Sequence, residues 1–272
     1  MAMHSGLILF LLIVPDEQPA LAKSRLGVRQ LRFNRARRDG ELGSRRTLQE
    51  YRGELPCRVQ VSMRYEYILF DHDGVLVDTE HWYFEATRRA LAELDIELDR
   101  GTYQGIMIRG AAAWELAEQR GIGEATIAAQ KARRDAWYQQ YLVTEDIEIP
   151  GVTETLRKLQ SRCRMAIVTT SRGADFDLIH RQRDIVPFMD FVLKREDYTH
   201  SKPDPEPYLL ALEGFGAAAS EALVVEDSER GLRSAVAAGI DCAIVHNAFT
   251  AAHDFDAAAY RIQSLAELTD LL

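Results

Sequence analysis

Five short apolar runs, spaced along the chain and separated by helical patterns, constrain the fold more than any other feature. They are Tyr65–Phe70, Met165–Val168, Phe188–Leu193, Leu223–Val225 and Cys242–Val245. Each is too short for a buried helix and bounded by polar residues, so each reads as a strand. Helical stretches fall between them: Thr153–Gln160, a segment ending at Ile179, Pro205–Leu212, a segment carrying Leu232, Ala235 and Val236 that stops at Gly239, and Leu265–Leu271. Strands alternating with helices imply an α/β fold, a parallel sheet covered on both faces. Ligands of such sheets bind beyond the carboxyl ends of the strands, which makes the residues ending each run the first candidates for chemistry.

One interval breaks the alternation. From Glu80 to about Pro150 there is helical periodicity and no strand signal. One helix follows Asp78-Thr79, which offers a cap, and sets Tyr83, Ala86, Ala90, Leu91 and Leu94 on one side. Another covers Ala111–Gln119. A third, Glu124–Tyr141, places Ala125, Ala128, Ala132, Ala136 and Trp137 on one face. The predicted organisation is an α/β core from residues 64–80 and 151–272, with a helical cap inserted at 81–150. Residues 1–63 read as a poorly structured leader. Gly6–Val14 is apolar but too short to span a bilayer. The Arg-rich stretch that follows lacks apolar periodicity, and the folded protein is expected to start near Met63.

Composition narrows the function classes. The formal net charge is -9 over 272 residues, which disfavours general nucleic-acid binding. Three scattered cysteines, Cys57, Cys163 and Cys242, with no CxxC pair argue against a disulfide framework or zinc site. Reduced thiols suit a cytoplasmic location. No membrane partner is expected, and a monomer is preferred to a dimer.

The strand ends carry a coherent set of groups. The first run ends in Asp71-His72-Asp73-Gly74, two carboxylates in one turn with a glycine that frees the backbone. The second ends in Thr169-Thr170-Ser171 and the fourth in Glu226-Asp227. Lys202 precedes Pro203-Asp204-Pro205, where the prolines stiffen the loop. Carboxylate oxygens suit magnesium, hydroxyl and ammonium groups suit phosphate oxygens, and a carboxylate can act as a nucleophile. The combination is a set for phosphoryl transfer. Taken singly, Thr169 is an ordinary strand-end hydroxyl, Ser171 reads equally as a helix cap, and Glu226-Asp227 reads as a cap before a helix.

Asp71-His72-Asp73-Gly74-Val75-Leu76-Val77-Asp78-Thr79 resembles the first motif of the haloacid dehalogenase (HAD) superfamily, DxDGxxxDT/S. Thr169 matches its second motif. Lys202-Pro203-Asp204-Pro205-Glu206-Pro207-Tyr208 is similar to its third and Glu226-Asp227-Ser228-Glu229-Arg230-Gly231, with Ala238-Gly239, to its fourth. The order is that of the family, and the resemblance covers roughly residues 65–272. It implies a Rossmann-like, HAD-like core with a cap inserted after the first motif, and a capped hydrolase acting on a small phosphorylated metabolite. It implies that Asp71 attacks phosphorus and that Asp73 serves as acid and then base. Thr169 and Lys202 then hold the phosphoryl group, and Mg2+ is bound by Asp71, the Asp73 carbonyl, Asp227 and Glu226. Thr170, Ser171 and the cap residue Arg109 are the expected substrate contacts.

Within the superfamily, Asp73 argues against the dehalogenases proper, which lack that second carboxylate. The beta-phosphoglucomutase branch usually carries a His ten residues after the second Asp, where this chain has Tyr83. Magnesium-dependent hydrolysis of a sugar phosphate or phosphoglycolate-type compound therefore ranks ahead of phosphomutase activity. A non-catalytic phospho-Asp signalling domain would share the acidic cluster, but its acceptor lies on a later strand than the acidic pair. His72 departs from the usual apolar residue and is expected to point away from substrate. His81 and His200 are not expected to be ligands. Asp78 is expected to act as a cap.

Overall fold

The computed structural model describes residues 64–272, so the expected leader at 1–63 lies outside the described residues. Six parallel strands form one sheet: β1 (Tyr67–Phe70), β2 (Arg164–Val168), β3 (Phe191–Leu193), β4 (Ala222–Glu226), β5 (Asp241–Val245) and β6 (Tyr260–Ile262). Their spatial order is β3-β2-β1-β4-β5-β6, with β1 paired in parallel to β2 on one side and β4 on the other. The chain reverses its direction of strand addition at β1, where the crevice of a doubly wound sheet opens. Ile68, Leu69, Phe70, Met165, Ala166, Ile167, Val168 and Leu223–Val225 are all buried, as a sheet covered on both faces requires.

Nine α-helices are seen among the described residues. α1 (Glu80–Ala92), α2 (Arg100–Ile108), α3 (Glu115–Gln119) and α4 (Glu124–Thr144) occupy the interval after the first motif. α5 (Val152–Leu159), α6 (Gly173–Ile179), α7 (Glu206–Phe215), α8 (Glu229–Ala237) and α9 (Leu268–Leu271) accompany the sheet. α5 shows the logic of the covering helices. It buries Val152, Leu156 and Leu159, each such side chain contributing about 1.5–3 kcal/mol, and carries Arg157 and Lys158 at its last turn, where the helix dipole favours cations.

The inserted helices form a hydrophobic cluster of their own, including Phe84, Leu91, Leu98, Tyr103, Ile106, Trp114 and Ile127, joined by Phe249 from the loop after β5. Ala86, Tyr138 and Leu142 belong instead to the main core, with Phe70, Leu76 and Ile167. The insert thus has its own interior and a foot in the sheet's core. No helix among the described residues is long and apolar enough to cross a membrane.

Several local expectations are corrected. On α4 the alanine stripe faces solvent, and the buried face is Ile127, Gln130, Arg134, Tyr138 and Leu142. Alanine methyls carry too little apolar area to compete with a tyrosine and a leucine one step around the helix. The helix expected at Ala111–Gln119 is shorter, and α2 precedes it. Gly101 and Gly105 obscured α2, whose start is fixed by Asp99 accepting from the Thr102 N–H at 2.9 Å. The third strand begins at Phe191 because Pro187 sits in a single 3₁₀ turn at Val186–Phe188. The three-residue edge strand β6 was too short to leave a pattern.

Candidate active site

β1, β2 and β4 lie side by side, so the residues that follow them converge. Asp71 continues β1 by donating its N–H to the Val225 carbonyl at 2.8 Å, and Thr169 continues β2 by donating to Leu193 at 2.9 Å. The chain then turns at Gly74, whose φ is +81°. A Cβ there would stand 2.2 Å from Asp227 Oδ2, so both the backbone conformation and the approach of Asp227 require glycine.

Lys202 reaches into this crevice. Its Nζ donates to Asp71 Oδ1 at 2.6 Å, to the Val168 carbonyl at 2.8 Å and to Glu226 Oε1 at 2.8 Å. All three of its N–H bonds are used, and the ammonium is 2% exposed. Tyr208 Oη also donates to Glu226 Oε1 at 2.8 Å and Ser228 Oγ donates to Oε2 at 3.0 Å. The Glu226 carboxyl lies so close to α8 that a Cβ on Gly231 would be 1.8 Å from it. Glu226 is therefore the anchor of Lys202, with both oxygens engaged.

Asp71 and Asp73 stand in opposite electrostatic settings. Burial, then the Glu226 charge, push Asp71 up to about 7 against the pull of Lys202. Burial also opposes ionisation of Asp73, but the charge of His72 and hydrogen bonds from His72, Ser171 and Thr79 outweigh it and hold Asp73 below the carboxylate range. Ser171 Oγ donates to Asp73 Oδ2 at 2.6 Å, Thr169 Oγ1 to the same oxygen at 3.3 Å, and Thr79 Oγ1 to Oδ1. Thr79 thus occupies the N-cap position of α1 without capping it, its hydroxyl being committed to Asp73. Ser171 is likewise not a cap. Asp78 is no cap either, and lies half-exposed with His81 Nδ1 at 3.4 Å.

His72 is fully buried. Its Nδ1 lies 3.3 Å from Asp73 Oδ2 and its Nε2 2.9 Å from His180 Nε2. Burial, His72 and Arg183 lower the His180 pKa to about 3.

The donor set suits a hard divalent cation. Asp71, Glu226 and Asp227 each bring a carboxylate oxygen within 4.8 Å of the others. Among the described residues no donor meets Asp71 Oδ2 or Asp227 Oδ1, whereas Asn247 Nδ2 fixes Asp227 Oδ2 at 2.8 Å. Burial, Glu226 and Asp71 together raise Asp227 well above its ordinary value. Three carboxylates against one ammonium leave excess negative charge, which an oxygen-bound cation such as magnesium would relieve.

Above this floor is a cleft of about 340 Å³ lined from the core by Asp73, Thr170, Ser171 and Lys202, and from the insert by Glu80, Tyr83, Met107 and Tyr138. Arg109 is not among its lining residues. Its guanidinium closes on Glu115 at 2.6 Å and on the Gly105 carbonyl at 2.9 Å, largely exposed. The arginines that do line the cleft are Arg172, Arg195 and Arg230. Arg172 is held by Asp135 of α4 and by Asp175 at 2.7 Å, while Gln139 of α4 donates to Asp175 at 2.9 Å. These bonds tie the insert to α6. Asn247 and Arg230 escaped sequence reasoning. Asn247 follows β5 where no motif marked it, and Arg230 stood at a variable position inside a motif.

A family model described as haloacid dehalogenase-like hydrolase matches residues 68–245. The chain is 29% identical over 216 residues to protein CbbY of Rhodobacter capsulatus, covering 75% of this chain and 95% of that protein. It is 29% identical over 185 residues to a phosphorylated carbohydrates phosphatase of Thermotoga maritima, covering 65% of this chain and 82% of the relative. The crystal structure of CbbY from Rhodobacter sphaeroides in complex with phosphate superposes with a TM-score of 0.64 at 25% identity, over 75% of this chain and 96% of the other.

Proposed function

Because this chain belongs to the haloacid dehalogenase-like hydrolase family, we propose that it is a magnesium-dependent phosphatase acting through an aspartyl-phosphate intermediate. Its substrate is a small phosphorylated metabolite of the sugar phosphate or phosphoglycolate type. One observation carries the reading: Asp71 stands beside Lys202 at 2.6 Å, its second oxygen met by no donor among the described residues, and lines a pocket together with Asp73, Thr170 and Asp227. The phosphatase relative of Thermotoga maritima supports the substrate class.

Asp71 Oδ2 attacks the phosphorus in line, and the bond to the leaving alcohol breaks. Asp73 gives that oxygen a proton, then takes one from the water that cleaves the aspartyl phosphate. Asp73 is an ionised acceptor in the geometry described here, ready for the second step. Its proton for the first step arrives with substrate, whose added negative charge raises Asp73. Thr170 at the cleft, and Lys202, Thr169 and Ser171 on exchanging a present acceptor for a phosphoryl oxygen, hold the phosphoryl group. Asp71, Asp227 and the Asp73 carbonyl would bind magnesium, with Glu226 supporting them from behind. When bound, the ion neutralises the approach of an anion to a carboxylate. The inserted helices act as the cap that excludes bulk water. Tyr83 accepts from Arg134 Nη1 at 2.5 Å, and this side chain offers no imidazole for returning a phosphoryl group to a sugar.

The test is phosphate release from a panel of phosphorylated sugars, phosphoglycolate, glycerol phosphate and nucleotides, with magnesium and then with EDTA. Magnesium-dependent release from a few compounds is the expected result. Interconversion of sugar phosphate isomers without release would overturn hydrolysis in favour of phosphomutase chemistry.

A further inference from the structure

His72 stands between the two carboxylates that follow β1, and the reaction steps above give it no part. Its side chain is 0% exposed, so it does not touch substrate. Burying an imidazole costs free energy unless its nitrogens are bonded, and both of them are. Nδ1 lies 3.3 Å from Asp73 Oδ2 and Nε2 lies 2.9 Å from His180 Nε2. His180, just past the end of α6, has a buried Nδ1 that meets no partner. Among the described residues the bond to His72 is therefore the one hydrogen bond its ring makes. Phe176 packs against both rings, with centroids 5.0 Å from His72 and 4.3 Å from His180.

The direction of these bonds follows from the acceptor. An ionised carboxylate only accepts, so the nitrogen facing Asp73 carries a proton and Nδ1–H donates to Oδ2. This holds whichever Nε2 carries the proton between the two rings. The orientation of an imidazole is set by the bond at its other nitrogen, and His180 supplies that bond. Asp73 Oδ2 also accepts from Ser171 at 2.6 Å and from Thr169 at 3.3 Å, whereas Oδ1 accepts from Thr79 alone. Ser171 and Thr169 are the hydroxyls that turn to the phosphoryl group. His72, closed in by packing, stays, and becomes the donor that keeps Oδ2 in place.

We propose that His72, braced by His180, is a positioning residue for Asp73, holding Oδ2 so that Oδ1 exchanges the proton with the leaving alcohol and with water. The inference rests on the phosphatase reading and gives the two histidines a part in it. His72 acts through Asp73 alone. A displaced acid costs rate to the extent that the departing oxygen needs its proton. A weakly acidic alcohol needs it, whereas an acidic phenol departs without it. The bond from His72 therefore matters for alkyl phosphates and little for aryl phosphates.

The experiment compares kcat/KM, which reports the steps through phosphorylation of Asp71, for an alkyl phosphate that the wild type cleaves and for p-nitrophenyl phosphate, in the full-length enzyme with magnesium. His72→Leu should lower kcat/KM about 10- to 100-fold for the alkyl phosphate, the range of one lost charge-assisted hydrogen bond, and leave the aryl phosphate little changed. His72→Asn, which keeps a side-chain N–H near the place of Nδ1, should recover part of the loss. His180→Phe should show a smaller loss of the same selectivity, and His180→Gln, which can again bond Nε2, should recover it. Equal losses on both compounds, or none in His72→Leu, would overturn the assignment. Nitrogen NMR of the histidine rings judges the contact without turnover and without substrate. His72 Nδ1 should carry a proton, and its signal should shift in Asp73→Ala and in His180→Phe. An Nδ1 without a proton, or a signal indifferent to Asp73→Ala, would also overturn it. If wild-type enzyme releases no phosphate from any compound, the phosphatase reading fails by itself while the NMR arm still judges the bond to Asp73.

Discussion

The floor and the roof of the cleft are built differently. The floor comes from residues at the ends of β1, β2 and β4, joined by Lys202 from the loop before α7. Nearly every polar group there has a named partner, from the three acceptors of Lys202 to the hydroxyls on Asp73. The roof comes from the inserted helices, whose cleft residues Glu80, Tyr83 and Met107 are carried by a separate apolar cluster and tied to the core through Arg172 and Gln139. The floor is fixed by short-range sequence and dense hydrogen bonding, which suits a group that must not move relative to phosphorus. The roof is fixed by side-chain packing, which tolerates change and suits the reading of different leaving groups.

Substitutions can break this contrast. The largest effect is expected from Lys202→Ala, which leaves Asp71 and Glu226 buried without their cation. A loss of about 3–5 kcal/mol is typical for one missing partner, and chemical denaturation with and without magnesium measures it. Added magnesium should restore part of the loss. A change below 1 kcal/mol would mean the floor is less committed than its geometry states.

Two glycines sharpen the same point. Gly231→Ala should destabilise by about 1–3 kcal/mol through overpacking, because its Cβ would meet the Glu226 carboxyl at 1.8 Å. In the roof, Gly105 lies inside α2 and its Cβ would meet nothing nearer than Arg109 Nη1 at 3.9 Å. Gly105→Ala should therefore stabilise by roughly 0.5–1 kcal/mol. Paired thermal melts check both signs, and the same sign for the two would erase the distinction.

A further effect is confined to acid pH. The His180 pKa is lowered to about 3 in the fold, first by burial, and returns to about 6.5 when unfolded. The unfolded chain then binds the extra proton between these values, so this contribution is intact above about pH 6.5 and is lost as pH falls towards 3. His180→Gln should flatten the acid limb of the stability curve in that window, followed by urea melts at a series of pH values. An unchanged slope would remove His180 as its source.

Legibility in the sequence followed the same division. The α/β class, five of the six strands and the convergence of Asp71, Thr169, Lys202, Glu226 and Asp227 were readable because apolar runs and the residues ending them are local signals. β6 was too short for a pattern. The α4 face was misassigned because alanine periodicity mimics a core stripe while Tyr138 and Leu142 bury more area. Arg109 was expected in the cleft by its neighbourhood, but Glu115 six positions on gave its guanidinium a nearer partner. Arg230 reaches the cleft only through the fold, from the first turn of α8, and no spacing rule marks it. Thr79 and Ser171 looked like caps because the residue types that cap helices are the ones that hold a carboxylate.

The central claim is that Asp71 becomes phosphorylated during turnover. Acid-quenching the enzyme with magnesium and a substrate found in the panel, then digesting it for mass spectrometry, tests this most directly. The account predicts a peptide spanning Asp71 heavier by one phosphoryl group and labile to base, absent in Asp71→Asn, whose turnover falls to background while its fold is retained. Undiminished phosphate release by Asp71→Asn, or a phosphoryl group on another residue, would contradict it.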